Sequence, residues 1–236
     1  MNSYREAMQA LEPAIGVPFK DLAPVVLGKT LPRDPKKRRA LGGDISEALL
    51  EIAKNSIPKA DLIALGTEVK SVSLNTLSTP RDWTKITRFN IDTCIAESEF
   101  RKSSVFKKLR CILFVPIMKQ DNATPDFWYI RPPFLWLPSE EQLDLMEADY
   151  VGIHEDAKKI KAAGAKADWT PLTGAPGKFL TLNTSAANTA RIPDSAKGRA
   201  WFLKKHLTDE ICKQNLWPGK AMEQRRVAFL GNDIHV

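Results

Sequence analysis

One uninterrupted apolar stretch limits the folds open to this chain of 236 residues. It runs from Cys111 to Met118 and contains Pro116 near its end. A helix that spans a bilayer needs ~20 apolar residues, so this stretch is too short to cross a membrane. An apolar run of this length without alternation is typical of a central strand covered on both faces. We therefore predict a buried strand over residues 110–117.

Helices and strands are both predicted around this strand. Four segments have apolar residues at helical spacing or a helical start: 3–12, 45–54, 139–163 and 208–214. The third begins with Ser139 and Gln142, which form a capping box. Three further segments have the pattern of strands: 66–74, 127–130 and 178–182. Residues 184–200 are polar and loop-like. The mixture predicts an α/β or α+β fold.

The charge balance favours a polyanionic partner. The formal net charge is +7 and the pI is about 9.3, which suits nucleic acid or an acidic membrane surface.

The three cysteines, Cys94, Cys111 and Cys212, have no spacing typical of a zinc site or a disulfide framework. The N-terminal sequence has no signal-peptide pattern. A reduced, cytoplasmic setting is expected.

The segment from Asp61 to Lys70 carries the candidate chemistry. Glu68 and Lys70 are two residues apart on a predicted strand, so they project from the same face. Asp61 lies upstream, where a turn can fold its carboxylate back beside Glu68. Burying such charges has a cost that Mg²⁺ would compensate, since it binds carboxylate and phosphate oxygens. The pattern points to phosphodiester hydrolysis, with Lys70 acting on the attacking water or on the charged phosphorane.

A third carboxylate precedes this segment. Glu47 lies on the preceding predicted helix, fourteen residues before Asp61, and would complete a metal site with Asp61 and Glu68. Glu51, one turn later, is the alternative. Taken alone, two acids followed by a lysine are more typical of a solvated strand face.

Four stretches in chain order resemble one known family. They are Gly43–Glu47 with Asp61 and Leu65-Gly66-Thr67-Glu68-Val69-Lys70, then Ser103–Lys108, Leu182–Asn188, and Ala196–Lys205. Together they resemble the MutH-type mismatch-repair nickases and the GATC-cutting type II restriction enzymes of the PD-(D/E)XK nuclease superfamily, over roughly residues 15–214. The resemblance implies a restriction-endonuclease-like fold, with a central mixed sheet flanked by helices and a C-terminal arm that reads DNA.

The resemblance also implies roles for individual residues. Glu47, Asp61, Glu68 and Lys70 match the family's catalytic and Mg²⁺-binding set. Lys108 matches a lysine near the scissile phosphate, and Lys107 is the alternative in register. The residues implied to face DNA are Asn183, Ser185, Asn188, Arg199, Phe202, Lys204 and Lys205.

Two departures from the family bear on specificity. The nickases carry Arg-Pro-Lys where this chain has Asn183-Thr184-Ser185. Arg and Lys contact guanine, whereas Asn suits adenine, so GATC specificity does not follow from the resemblance. Phe202 stands at the position of the methylation-sensing tyrosine and lacks its hydroxyl. A response to adenine methylation therefore does not follow either.

Basic and aromatic residues are grouped near the end of the chain. Arg199, Lys204 and Lys205 flank Trp201 and Phe202. We expect at least one of these aromatic rings in the core and some of these lysines against phosphates. The basic stretch 36–39 is either another phosphate contact or a solvated loop.

These observations predict a Mg²⁺-dependent endonuclease that cuts double-stranded DNA at a short site related to GATC. A type II restriction enzyme is favoured; the alternatives are a strand-nicking mismatch-repair endonuclease and a non-catalytic DNA-binding module of the same fold. The expected organisation is one nuclease domain, 1–214, with a catalytic lobe (about 15–120), a recognition arm (about 121–214) and a C-terminal extension (215–236). One catalytic unit must form a homodimer on a palindromic site or nick the strands in turn. No membrane partner is expected.

Overall fold

The apolar stretch forms strand β3 (Ile112–Met118), in which every residue is buried. β3 pairs in parallel with β1 (Glu68–Leu74), with Glu68 opposite Ile112 and Leu74 opposite Met118. It also pairs antiparallel with two short strands, β4 (Tyr129–Ile130) and β5 (Phe134–Trp136). The predicted mixed sheet is therefore confirmed, and the predicted strand lies at its centre.

The structure is a computed structural model that describes residues 2–31, 41–52, 60–119, 124–164, 167–172, 177–184 and 198–216. Two compact units divide the chain. The first comprises Met1–Asp82, Ile112–Trp136 and Asp209–Val236; the second comprises Trp83–Cys111 and Leu137–Thr208. The units interleave along the sequence. The predicted boundary near residue 120, between a catalytic lobe and a recognition arm, is defined by which residues contact DNA. It therefore stays a prediction.

Three helices cover one face of the mixed sheet in the first unit. They are α1 (Tyr4–Leu11), α2 (Phe19–Leu27) and α3 (Leu41–Leu49). Alternate residues of β3, Leu113, Val115 and Ile117, share a buried core with side chains of all three helices, because side chains alternate across a strand. Gly42 lets α3 approach closely, since a Cβ atom there would overlap the side chain of Ile117.

The second unit contains a three-stranded antiparallel sheet in the order β2 (Thr84–Arg88), β7 (Arg199–Leu203) and β6 (Leu180–Thr184). Its helices are α4 (Ile91–Ala96), α5 (Ser104–Leu109) and the long α6 (Glu140–Ala163). The predicted capping box starts α6: Ser139 accepts from the Gln142 N–H and Gln142 accepts from the Ser139 N–H. Strands β2, β5 and β7 and helices α2, α4 and α5 were not predicted. The prediction of a loop over residues 184–200 is wrong at its end, because β7 begins at Arg199 and is held in the sheet by β2 and β6.

Helix α7 (Lys205–Leu216) is longer than the predicted 208–214. All three cysteines are buried thiols, and burial raises the pKa of the Cys94 thiol and of the Cys212 thiol to about 12. In the part of the chain that the structure describes, no helix is long and apolar enough to cross a membrane. The basic stretch 36–39 and residues 217–236 lie outside the described residues.

Candidate active site at the start of strand β1

Three charged side chains meet where β1 begins. Glu68, its first residue, is 1 % exposed. The Lys70 Nζ donates to Glu68 Oε1 at 2.5 Å and lies 4.0 Å from Asp61 Oδ2. The two carboxylates therefore converge on one positive charge. Lys70 and Asp61 reach solvent with 18 % and 30 % of their side-chain surface, so the cluster opens outward on their side.

A tight turn folds Asp61 back onto the strand, as the sequence predicts. Residues Ile63–Leu65 form one 3₁₀ turn, and Leu62 pairs with Thr67 across it. Gly66 ends the turn with a φ of 58°, a left-handed conformation that glycine adopts without steric cost. The Asp61 Oδ2 then accepts the backbone N–H of Val69 at 2.9 Å. This hydrogen bond fixes the carboxylate beside β1.

A residue far along the chain supports this turn. The Tyr4 hydroxyl of α1 lies 2.7 Å from the hydroxyl of the buried Thr67, next to Glu68. The contact joins residues 63 positions apart. Tyr4 was absent from the predicted site, and nothing local in the sequence points to it.

The electrostatics of the cluster depend on the pairing of Lys70 with Glu68. A buried carboxylate without compensation is costly, because the interior solvates charge poorly. The ammonium group supplies that compensation from the more exposed end of the site. The oxygen donors of Asp61 and Glu68 suit Mg²⁺, which takes one or two carboxylates in nuclease-type sites. The residues present thus fit a divalent cation.

Glu47 lies on α3, which packs against β1 where Gly43 adjoins Ser71. Glu47 is half-buried, and its Oε2 atom is shielded from solvent. Among the side chains that the structure describes, no three His, Cys, Asp or Glu residues are close enough to hold a metal ion. The structure therefore brings Asp61, Glu68 and Lys70 together without Glu47, whose role stays a prediction. Glu51 is exposed, just beyond the end of α3.

Lys108 lies in the second unit, on the last turn of α5. It is 7 % exposed, whereas Lys107 is exposed. Ser103 caps the helix by accepting the Phe106 N–H at 3.1 Å, which fixes the register of the two lysines. The role of Lys108 near a scissile phosphate stays a prediction.

The predicted DNA-facing residues on β6 and β7 differ in exposure. Arg199 begins β7 and is 3 % exposed, with its guanidinium carbon 4.9 Å from the centre of the Trp169 ring. Phe202 is half-buried and meets Trp83 edge to face at 6.4 Å. Trp201 is a core residue that stacks on Tyr150 at 5.4 Å. The expectation that one of the two neighbouring rings lies in the core is confirmed.

The polar residues predicted to face DNA lie on or next to the same sheet. Asn183 lies half-buried on β6, and its Oδ1 accepts the Thr184 N–H at 2.8 Å. Lys204 is half-buried between β7 and α7, and Lys205 is exposed at the start of α7. Ser185 and Asn188 lie outside the described residues. Contact of these residues with DNA stays a prediction.

One carboxylate anchors the strand that carries Asn183. Asp149 on α6 accepts the backbone N–H groups of Lys178, Phe179 and Leu180 at 2.7, 2.7 and 2.8 Å. These donors lie where β6 starts. The carboxylate therefore fixes the position of the start of β6 relative to α6.

Asp149→Ala should lower the free energy of unfolding by about 2 kcal/mol, because the N–H groups lose a charged acceptor. Urea unfolding followed by circular dichroism measures this. Asp156→Ala is the control: Asp156 is in an ion pair with Lys159 on the surface of the same helix, and such pairs contribute less than ~1 kcal/mol. Equal unfolding midpoints for the two variants would show that Asp149 is not an anchor.

Comparison with known proteins finds one family that the segment carrying this site resembles. The family model described as "DNA mismatch repair enzyme MutH" matches residues 50–149, a range that contains Asp61, Glu68, Lys70 and Lys108. The DNA mismatch repair protein MutH of Shewanella sp. (strain MR-7) is 27% identical over 168 residues, which cover 71% of this chain and 72% of that protein. The protein of the same name from Salmonella typhi is 26% identical over 202 residues, which cover 79% of this chain and 81% of that protein. With the mixed sheet and helices described above, these matches show that the chain is similar to the MutH family of DNA mismatch repair proteins.

Proposed function

We propose that this chain is a MutH-like DNA endonuclease that hydrolyses a phosphodiester bond in duplex DNA and nicks one strand in mismatch repair. The observation that carries the proposal is the convergence of Asp61 and Glu68 on the ammonium group of Lys70. It lies within the segment that the family model matches. The relatives are named mismatch repair proteins, which favours repair over the restriction role first expected.

Asp61 and Glu68 are the residues proposed to hold Mg²⁺. Glu47 on α3 lies outside their cluster in this structure and is proposed to join them when the ion is bound. When bound, such an ion stabilises the negative charge that develops on a phosphodiester under attack. Asp61 is already oriented by its bond to Val69, and Glu68 by its position on a strand paired with β3. Both carboxylates are therefore held before DNA binds, which lowers the cost of assembling the site.

Lys70 is proposed to act on the reacting groups directly. A lysine ammonium has three N–H donors, and one of them is directed to Glu68. The partly exposed end of the side chain can turn another donor to a phosphate oxygen or to the attacking water. In that position it would orient the water and stabilise the charge on the phosphate.

DNA binding is proposed to involve Lys108 near the scissile phosphate, Lys204 and Lys205 on the backbone, and Asn183 at base edges. Lysines bind phosphates without regard to sequence, whereas an asparagine on an adenine edge would discriminate between bases. Because one such catalytic strand is present among the residues that the structure describes, we propose that a single molecule cuts one strand per binding event. A homodimer on a palindromic site would be needed for a double-strand break.

Purified protein incubated with Mg²⁺ and supercoiled plasmid should produce open circles, and chelation of the metal should prevent this. Gel electrophoresis separates supercoiled, open-circular and linear forms. Open circles whose yield rises when a mismatch-repair ATPase is added support the repair role. Linear fragments of discrete length without any added protein would instead support the restriction enzyme. Intact supercoiled plasmid across many sequences, with Mg²⁺ or Mn²⁺, would overturn the proposal.

A further inference from the structure

We propose that the first unit carries a second binding site for the phosphate backbone of DNA, at the opposite end of β1 from Glu68. The inference rests on the proposed function, because it assumes a DNA substrate. The site, called here the basic edge, consists of four cations and two aromatic residues: Lys20, Arg81, Lys119, Arg131, Phe127 and Trp128. All six lie in the first unit, and none belongs to the stretches discussed as DNA-facing.

The ends of β1 and β3 bring two of these cations together. Lys119 directly follows β3, and its backbone N–H donates to the carbonyl of Leu74, the last residue of β1, at 2.9 Å. The Arg81 Nη1 atom donates to the carbonyl of Lys119 at 3.4 Å. Arg81 is exposed and Lys119 is half-buried. The Arg81 side chain therefore contacts the backbone of Lys119 where the parallel strands end.

A folded loop adds the third cation. The Asn75 Oδ1 accepts the backbone N–H groups of Leu77 and Thr79 at 3.0 Å each, which closes the loop after β1. The Arg131 Nη1 donates to the Ser78 hydroxyl of this loop at 3.2 Å. The Arg131 backbone N–H also donates to the Pro116 carbonyl of β3 at 2.8 Å. Arg131 is thus fixed to the same end of the sheet from two sides.

Aromatic rings hold the remaining ammonium groups in place. The Lys119 Nζ lies 4.2 Å from the centre of the Trp128 ring, and the Lys20 Nζ lies 5.3 Å from that of Phe127. The Phe19 N–H donates to the Trp128 carbonyl at 2.8 Å, which connects the two pairs. A cation over an aromatic face keeps its charge while its position is restricted. Phe127 itself remains 51 % exposed.

Phosphate is the partner chemistry that this arrangement fits. Arginine and lysine groups at intervals bind successive phosphates, and contacts of this kind carry no sequence preference. Six residues of β1 follow Glu68 before the basic edge; at ~3.3 Å per residue this is about 20 Å, or about 6 base pairs of duplex. DNA that extends beyond the cut site can therefore reach both places. Asp21 and Asp82 adjoin two of the cations in sequence, so we expect a contribution to affinity rather than most of it.

The test compares a long and a short duplex with the metal-free full-length protein. Fluorescence anisotropy would measure binding to duplexes of ~40 and ~10 base pairs at several salt concentrations. The double variant K20Q/R81Q removes two exposed cations. It should bind the long duplex ~10-fold more weakly and reduce the salt slope by about 2, while binding of a short duplex centred on the cut site, which extends only ~5 base pairs to either side, stays unchanged.

K102Q/K158Q is the matched control, since both lysines are exposed and pair with glutamates of the second unit. It removes the same charge and should leave the salt slope of the long duplex unchanged. Equal loss in both double variants, or no loss in K20Q/R81Q, would overturn the basic edge while the proposed function stands. Wild-type protein that binds neither duplex would overturn both. If K20Q/R81Q instead loses binding to vesicles that contain phosphatidylserine, with DNA binding unchanged, the surface belongs to a membrane and the inference is wrong.

Discussion

Replacing Lys70 with alanine should lower the single-turnover rate of DNA cleavage by at least ~10²–10³-fold, the effect typical of removing one charge-stabilising donor from a reaction centre. Lys70 is the cation on which Asp61 and Glu68 converge. It is proposed to act at the reacting end of the site and is not one of the basic residues proposed to hold the DNA backbone. The affinity for duplex DNA should therefore stay within ~2-fold of wild type. Rapid-quench measurements of cleavage and anisotropy measurements of binding separate these quantities.

The structure also predicts that this variant loses stability. Without Lys70, the carboxylate of Glu68 is buried and has lost its ion-pair partner, which costs ~1–3 kcal/mol. K70A/E68Q removes both charges and should recover part of that stability without recovering cleavage. Lys158→Ala, at an exposed ion pair with Glu155, controls for the loss of a lysine and should cleave normally. Normal cleavage by Lys70→Ala itself would remove Lys70 from the mechanism.

The elements that could be predicted from the sequence are those with local causes. The apolar run specifies β3 because a strand covered on both faces needs apolar residues at every position. The capping box specifies the start of α6 because its donors and acceptors lie within four residues. Both predictions agree with the structure to within two residues.

Strands β2 and β7 could not be predicted because their cause is not local. β7 is flanked by β2 and β6, and Thr84 pairs with Leu203 across about half of the chain. Its first residue, Arg199, is charged and belongs to a segment that reads as a loop. Arg199 can lie in a buried strand because its guanidinium packs on the Trp169 ring. That ring is distant in the sequence, so the contact could not be predicted from neighbouring residues.

The candidate site also has a part with local causes, which the sequence predicts, and a part that depends on distant residues. The turn from Asp61 to Lys70 follows from residues within ten positions of one another, and the structure forms it. The Tyr4–Thr67 contact joins α1 to this turn and depends on how α1 packs on the sheet. Whether Glu47 reaches the site depends on the placement of α3, which periodicity alone does not give.

The biological role was the weakest part of the sequence-based prediction. The sequence favours restriction because the matches to the nickases are incomplete and the base-reading segment at Asn183 differs from theirs. Base-reading residues determine where a strand is cut, not which pathway uses the cut. The relatives named for mismatch repair bear on the pathway, so they carry more weight on this question.

Asp61→Asn should reduce cleavage about as strongly as Lys70→Ala, by ~10²–10³-fold, while leaving the fold intact. The reason is geometric: the Asp61 Oδ2 accepts the Val69 N–H at 2.9 Å, and an asparagine oxygen can accept the same bond without the charge. Only the charge needed for a divalent cation is lost. Titration calorimetry should show weaker Mn²⁺ binding, a measurement that does not depend on cleavage.

Asp61→Ala removes the charge and the hydrogen bond together, so comparison with Asp61→Asn separates the two roles. Both variants should lose cleavage equally, but only Asp61→Ala should lose ~1–2 kcal/mol of stability in urea unfolding, because the Val69 N–H then lacks its acceptor. Asp156→Ala again controls for removal of a surface carboxylate. If Asp61→Asn cleaves and binds Mn²⁺ like the wild type, the carboxylate serves only to close the turn. Ion binding would then have to depend on Glu68 and on residues that the cluster in this structure does not include.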